Sequence, residues 1–144
     1  MKKLWIELVP DGCWYSNLRT VLPKKVWDMI RNDAKARAGN KCAICGKENT
    51  RLEAHEKWSY DEKSRVQKLE DVVSVCHDCH SAIHMERTAL LGDIERAENH
   101  YMKVNKCSYS QMKKDRSEAN ELHQKRNRID WIADTSWLKR FLEE

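Results

Sequence analysis

The hydrophobic and polar positions of this chain form short apolar runs and longer helical repeats. An apolar run from Leu4 to Val9 is followed by a Pro-Asp-Gly sequence at 10–12, which predicts a strand and then a turn, and residues 13–19 are a second candidate extended piece. After Pro23, apolar residues recur every three or four positions as far as Ala38. This repeat predicts a helix with Gly39 at its C-cap.

The middle of the chain alternates in a way that favours a hairpin. Residues 52–58 and 69–75 each predict a strand, joined by a loop at about 58–65. Cys76 then opens a predicted helix that runs to about Arg87. A ββα unit is therefore expected in the centre of the sequence.

The C-terminal part is predicted to be mostly helical. Apolar residues from Leu90 to Val104 repeat at helical spacing, with Gly92 a tolerated weak point. Ser108 can cap another helix, from Tyr109 to about Ile129, whose many Lys and Arg residues favour either a solvated face or contact with phosphates. The aromatic tail from Trp131 is expected to fold back on the core, beside Leu4 to Val9.

Length and composition favour one domain covering residues 1–144. The chain is 40% hydrophobic and 35% charged, and its net charge of +4 permits a polyanionic partner without demanding one. No apolar run is long enough to span a membrane, and the first residues do not resemble a signal peptide. A cytoplasmic protein without disulfides is the resulting expectation.

Four cysteines have the spacing of a zinc site. Cys42 and Cys45 form one Cys-x-x-Cys pair, and Cys76 and Cys79 form a second. Four thiolates leave no open coordination position, so we predict a closed structural Zn²⁺ site whose loss loosens or unfolds the protein.

Three histidines predict a second metal site. His80 and His84 are four residues apart on the predicted helix, so both imidazoles lie on one face. A hairpin packed on that helix brings His55 to the same point. Three imidazole nitrogens with open positions are typical of a catalytic rather than a structural metal centre.

These motifs together resemble the HNH endonuclease family, in its four-cysteine variant. The likeness covers Lys41 to about Arg87, and flanking stretches are similar to small stand-alone HNH-type proteins of bacteria and their viruses. The resemblance implies an α+β fold with a treble-clef-like ββα-metal (His-Me finger) core and zinc, surrounded by additional helices. The core is expected at about 41–87, with an N-terminal strand and helix at 4–39 and C-terminal helices at 88–144.

The resemblance also implies roles for individual residues. His55, His80 and His84 match the family's metal ligands, for a divalent cation such as Mg²⁺, Mn²⁺, Ni²⁺ or Zn²⁺. Glu56 takes the position of the general base, normally histidine, and Asp71 that of the asparagine that orients the base. In an alternative register His55 is the base and Glu56 or Asp71 completes the metal shell.

The function implied is metal-dependent hydrolysis of DNA phosphodiester bonds. Because Glu56 and Asp71 depart from the family pattern, the alternative is a weakened or inactive zinc-stabilised module that binds nucleic acid or a protein partner. DNA is the expected partner, while the oligomeric state is not indicated by the sequence.

Overall fold

A computed structural model describes residues 3–9 and 18–142 of the chain. It is a mixed α+β structure with a small sheet of three strands in the order β1-β2-β3. The elements, in chain order, are α1 (Leu18–Val21), α2 (Lys24–Arg37), β1 (Leu52–Asp61), β2 (Val66–Cys76), α3 (His77–Ile83), α4 (Met85–Leu90), α5 (Ile94–Asn105), α6 (Tyr109–Arg126), β3 (Ile132–Asp134), a 3₁₀ turn (Ser136–Leu138) and α7 (Lys139–Leu142).

The predicted central hairpin forms, although its strands are longer than predicted: β1 runs to Asp61 and β2 starts at Val66, so the first half of the predicted loop at 58–65 is strand. β1 and β2 pair antiparallel, with Leu52 opposite Cys76 and His55 opposite Val73, and the register shifts between Lys57 and Trp58. Cys76 caps α3, because its sulfur accepts a hydrogen bond from Cys79 N. The hairpin and α3 therefore bring the second Cys-x-x-Cys pair and the histidines next to β1.

Two helices begin and end close to their predicted positions. α2 ends at Arg37, and Gly39 follows with a φ of 72°, in the left-handed region that glycine adopts without a steric penalty. α6 begins after Ser108, whose hydroxyl accepts a hydrogen bond from Gln111 N. The end of α2 and the start of α6 are fixed by local side-chain and backbone chemistry, which is why the sequence pattern predicts them.

The helix predicted to reach Arg87 is interrupted at His84, which separates α3 from α4. The Thr88 hydroxyl donates to the carbonyls of Ser81 and His84 at this break. The next predicted helix was wrong at its start, because Gly92 adopts a φ of 86° and α5 begins only at Ile94. Leu90 and Leu91 are consequently exposed.

The two termini differ from the prediction. Residues 3–9 form no strand, since the backbone N–H groups of Lys3 and Leu4 bond to the Asn105 side chain instead of to a neighbouring strand. The tail does fold back, but β3 pairs parallel with β2 at 66–68. The turn predicted at 10–12 and residues 13–17 of the extended piece lie outside the described residues, and Leu18 and Arg19 belong to α1.

Two clusters of buried side chains stabilise the described part of the chain. One surrounds the cysteines and joins β2, α3, α5 and α6 to Leu4, with Tyr101 and Met112 fully buried. The other joins α1, α2 and the 3₁₀ turn to Trp58, Leu69 and Val72 of the hairpin. Residues near the junction of β1, β2 and α3 therefore lie between the two buried clusters and are stabilised by both.

Candidate metal centres

The four cysteines converge on one point. One sulfur from each of Cys42, Cys45, Cys76 and Cys79 lies within 4.8 Å of the others, and the sulfurs of Cys45 and Cys76 are 3.7 Å apart. Zn–S bonds of about 2.3 Å in a tetrahedron place neighbouring sulfurs about 3.8 Å apart. The cluster is therefore suited to a tetrahedral ion such as structural zinc.

Local backbone structure positions these sulfurs. The N–H groups of Ile44 and Cys45 lie 3.4 and 3.5 Å from the Cys42 sulfur, so the turn presents its donors to a thiolate. Gly46 makes that turn with a φ of 79° and donates to Cys42 O. Ala43 N donates to Ser74 O and joins the turn to β2.

The thiols affect one another's ionisation strongly. The hydrogen bond with Cys79 lowers the pKa of Cys42 to about 4, whereas burial raises the pKa of Cys76 to about 11. The interaction with Cys42 raises the pKa of Cys79 as well. One thiolate is thus favoured by the protein alone, and a cation among the sulfurs would be needed to stabilise all four.

His100 lies beside this cluster, with its Nε2 atom 3.2 Å from the Cys79 sulfur. Burial lowers the pKa of His100, so its neutral ring can donate one N–H to a thiolate. Nearby, Arg96 pairs with Asp78. No local sequence pattern assigns His100 a role, because its position on α5 becomes adjacent to Cys79 only in the fold.

The three predicted histidines form a second cluster on the same ββα unit. Their ring centroids are 5.4 Å (His55–His80), 5.1 Å (His55–His84) and 4.9 Å (His80–His84) apart, and one nitrogen from each lies within 4.8 Å of the others. His55 comes from β1 and is buried, while His80 comes from α3 and His84 follows it. The expected convergence of His55, His80 and His84 is confirmed.

The environment favours imidazoles that are neutral and oriented. Burial lowers the pKa of His80, although Glu53 opposes this shift, and burial lowers the pKa of His84 to about 3. Glu53 lies 2.8 Å from His80 Nδ1, which fixes that nitrogen as the donor and leaves Nε2 available to a ligand. Neutral rings oriented by carboxylates are typical of metal-binding histidines.

The ring of His55 also has a nitrogen atom that is suited to bind a cation. Its Nε2 atom is buried and makes no hydrogen bond among the described residues, although a Glu7 carboxylate oxygen lies 2.7 Å from it. A buried polar atom without a partner carries a desolvation cost that a bound cation would offset. The donor set of three imidazoles fits a divalent transition metal.

The histidines line a cavity of about 810 Å³. Exposed basic side chains from several elements surround it: Arg19, Lys24, Arg31, Arg51 and Arg87. Lys24 and Arg31 pair with Asp28, whereas no carboxylate in the described part of the chain lies within 4 Å of Arg51 or Arg87. The cavity thus combines candidate metal ligands with positive charge that is available to an anion.

The two carboxylates predicted to assist the site lie in different places. Glu56 lines the histidine cavity, and its carboxylate accepts hydrogen bonds from Leu18 N (2.6 Å) and Trp58 Nε1 (3.2 Å). Burial raises its pKa in spite of these donors. Asp71 is not among the residues that line this cavity; it lies 3.3 Å from Arg37 and accepts from Val72 N. The structure therefore brings Glu56 to the histidines and does not bring Asp71 there.

Comparisons of the chain with protein-family models, with curated proteins and with solved structures give no match. Within residues 3–9 and 18–142, no helix combines the length and the apolar character needed to cross a bilayer. The two clusters and their surroundings are therefore the features that indicate a function.

Proposed function

We propose that the protein is a metal-dependent nuclease of HNH type that hydrolyses phosphodiester bonds of DNA. One observation carries the proposal: three imidazoles converge at a cavity whose rim is arginine-rich. A metal centre beside unpaired guanidinium groups suits a phosphate ester, since arginine binds phosphate oxygens in a planar, bidentate way.

His55, His80 and His84 would hold the divalent ion. When bound, such an ion polarises a phosphoryl oxygen and stabilises negative charge on the leaving oxygen. Glu53 keeps His80 in the tautomer that can bind, through its contact with Nδ1. The closed four-cysteine cluster would hold a structural zinc, and with the ββα unit it would form the treble-clef-like core expected of this family.

Glu56 is the candidate general base. Its carboxylate lines the cavity, and burial raises its pKa, which makes the carboxylate a stronger base. Leu18 N and Trp58 Nε1 hold the carboxylate in one position. An oriented carboxylate of raised basicity would accept a proton from a water molecule in the cavity.

The arginines would bind the backbone of the nucleic acid. Arg51 precedes β1 and Arg87 lies on α4, so the two approach the histidines from different elements. Contacts of this kind position the substrate but carry no base information. Low sequence preference is therefore the expectation.

A specific observation favours the alternative, a binding module without hydrolysis. Both Glu56 oxygens already accept hydrogen bonds, and Asp71 contacts Arg37 instead of supporting Glu56. If these contacts keep Glu56 from accepting a proton, the arginine-lined cavity still binds nucleic acid or an acidic protein partner.

A plasmid-nicking assay tests the proposal. Purified protein with zinc in its cysteine cluster is given Mg²⁺, Mn²⁺, Ni²⁺ or Zn²⁺ in turn, beside a His84→Ala variant with the same zinc content. Nicking that requires added metal and is lost in the variant supports the nuclease. DNA binding without nicking under every metal favours the binding module.

A further inference from the structure

The N-terminal segment brings a carboxylate to the histidine cluster. Leu4 is fully buried, and the Asn105 side chain holds it by accepting from Leu4 N and donating to Leu4 O. Three residues later, Glu7 N donates to Ile83 O, at 2.8 Å. Because Ile83 immediately precedes His84, this bond places the Glu7 backbone beside the cluster.

The Glu7 side chain reaches His55 in an unusual way. Its Oε2 atom lies 2.7 Å from His55 Nε2, and the Glu7 side chain is 12% exposed. Both atoms are buried, yet their geometry is not that of a hydrogen bond, and neither has another partner in the described part of the chain. The two buried atoms are therefore within ion-pair distance but without hydrogen-bond geometry.

Such a pair is costly unless a cation compensates for it. A buried carboxylate oxygen without a hydrogen bond loses its hydration and gains no aligned donor in return. Ligand atoms at about 2.0–2.1 Å from one tetrahedral ion lie about 3.3 Å apart, so the 2.7 Å contact with His55 is close to the spacing of two ligands. Glu7 lies outside the group of ligand atoms within 4.8 Å of one another, so its side chain would rotate toward His80 and His84 to bind the same ion. Glu7 also lines the cavity that holds all three histidines.

We propose that Glu7 is a fourth ligand of the metal ion held by His55, His80 and His84. The inference rests on the metal site of the proposed function and adds to it a ligand from outside the ββα unit. With four protein ligands, the ion would accept a substrate oxygen by expanding to five-coordination. Three imidazoles and one carboxylate select borderline transition metals such as Zn²⁺, Ni²⁺ or Co²⁺ over Mg²⁺, which prefers oxygen ligands and retains its water. Binding the ion would also fasten the N-terminal segment across the cavity.

Co²⁺ titration of the zinc-loaded protein tests the proposal, because the visible spectrum of Co²⁺ reports the number and type of its ligands. We expect the wild type to bind one Co²⁺ in addition to its zinc. Glu7→Ala should weaken this binding by more than about 100-fold, beyond the 10–100-fold that loss of a ligand's hydrogen-bond partner costs. It should also change the d–d spectrum of any Co²⁺ that still binds.

Glu53→Gln is the matched control, since Glu53 contacts His80 without lying beside the unpartnered His55 nitrogen. It should weaken Co²⁺ binding but leave the spectrum unchanged. Glu7→Gln keeps the size of the side chain, and one zinc per chain in each variant verifies the fold. An unchanged spectrum and affinity in both Glu7 variants would overturn the assignment of Glu7 alone, whereas a wild type without a second ion would overturn the metal site of the proposed function as well.

Discussion

The cysteine and histidine clusters are built on the same hairpin and helix, yet they differ in nearly every physical respect. Cys79 and His80 are neighbours in the sequence, but Cys79 is fully buried within a hydrophobic core while His80 is one quarter exposed at a cavity. Donors around the cysteines are backbone N–H groups and the ring of His100. Carboxylates contact the rings of His55 and His80, and arginines lie around their cavity.

This difference suggests that the cysteine cluster contributes to the stability of the fold and the histidine cluster to the reaction. A cluster within the core couples its metal to packing, so the ion's binding energy becomes folding energy. A cluster at a cavity mouth leaves its metal accessible to a substrate, and its loss should leave the core packed. The two sites can therefore be removed independently, and variants in each cluster test whether that separation holds.

Removing metal from the cysteine cluster should have the largest effect. Cys79→Ser replaces a fully buried ligand, and structural zinc contributes about 10–16 kcal/mol against a total stability of about 5–15 kcal/mol. We expect loss of the cooperative thermal transition followed by circular dichroism. Cys107→Ser, outside the cluster, should melt close to the wild type; a cooperative Cys79→Ser melt at the wild-type temperature would contradict a structural metal here.

Removing a ligand from the histidine cluster should abolish activity and spare the fold. His80→Ala should lower the nicking rate by about 10³-fold, equivalent to about 4 kcal/mol, while the zinc content and the melt stay near wild type. His77→Ala is a close control, because His77 lies on the same helix and contacts the same Glu53 carboxylate. Unfolding of His80→Ala would show that the two clusters are not separable.

The sequence predicts both clusters because their spacing is local. Two Cys-x-x-Cys pairs and an i, i+4 histidine pair depend on short-range geometry, and the hairpin that adds His55 follows from alternation. Glu53 could have been found the same way, since it lies two residues before His55 and so on the same face of β1.

The remaining residues depend on features that no local pattern encodes. Glu7 reaches the histidines because Asn105 and Ile83 fix the N-terminal segment, and both are distant in sequence. Asp71 pairs with Lys57 immediately beside the register shift in the hairpin, which alternation gives no sign of. The exposed Leu90 and Leu91 follow from the φ of Gly92, since a helical repeat does not specify where a glycine breaks it.

Glu56→Gln tests whether the cavity contains a base as well as ligands. The change keeps the shape of the side chain but removes its basicity, so we expect nicking to fall by about 100-fold, within the usual range for a general base, while Co²⁺ binding is unchanged. Glu70→Gln on the neighbouring strand is the control, since its carboxyl is exposed and contacts Ser59. Full activity of Glu56→Gln would exclude Glu56 as the base.

The cavity arginines should determine the affinity for DNA. With no divalent ion added, replacing Arg51 and Arg87 by alanine should weaken binding and reduce the slope of log K against log salt by about 0.9 for each phosphate that is no longer neutralised. Lys114→Ala on α6 is the control, because it removes an exposed charge that does not line the cavity. A slope that is unchanged in the arginine variant but reduced in the control would identify α6, rather than the cavity, as the phosphate-binding surface.

The smallest expected effect concerns the contribution of one buried tyrosine beside the cysteines to the free energy of unfolding. The hydroxyl of the fully buried Tyr101 donates to Asp115 Oδ2 at 2.7 Å, so Tyr101→Phe should cost about 1.5 kcal/mol in urea unfolding of the zinc-loaded protein. Burial, and then the bond to Asp115, raise the pKa of Tyr101. The unfolded chain therefore releases this proton first, and the wild type should lose stability as the pH rises above about 10, where free tyrosine ionises. Tyr101→Phe should lose less over that range, whereas Tyr109→Phe, at an exposed position, should follow the wild type; equal alkaline losses in all three proteins would show that Tyr101 contributes nothing to the pH dependence.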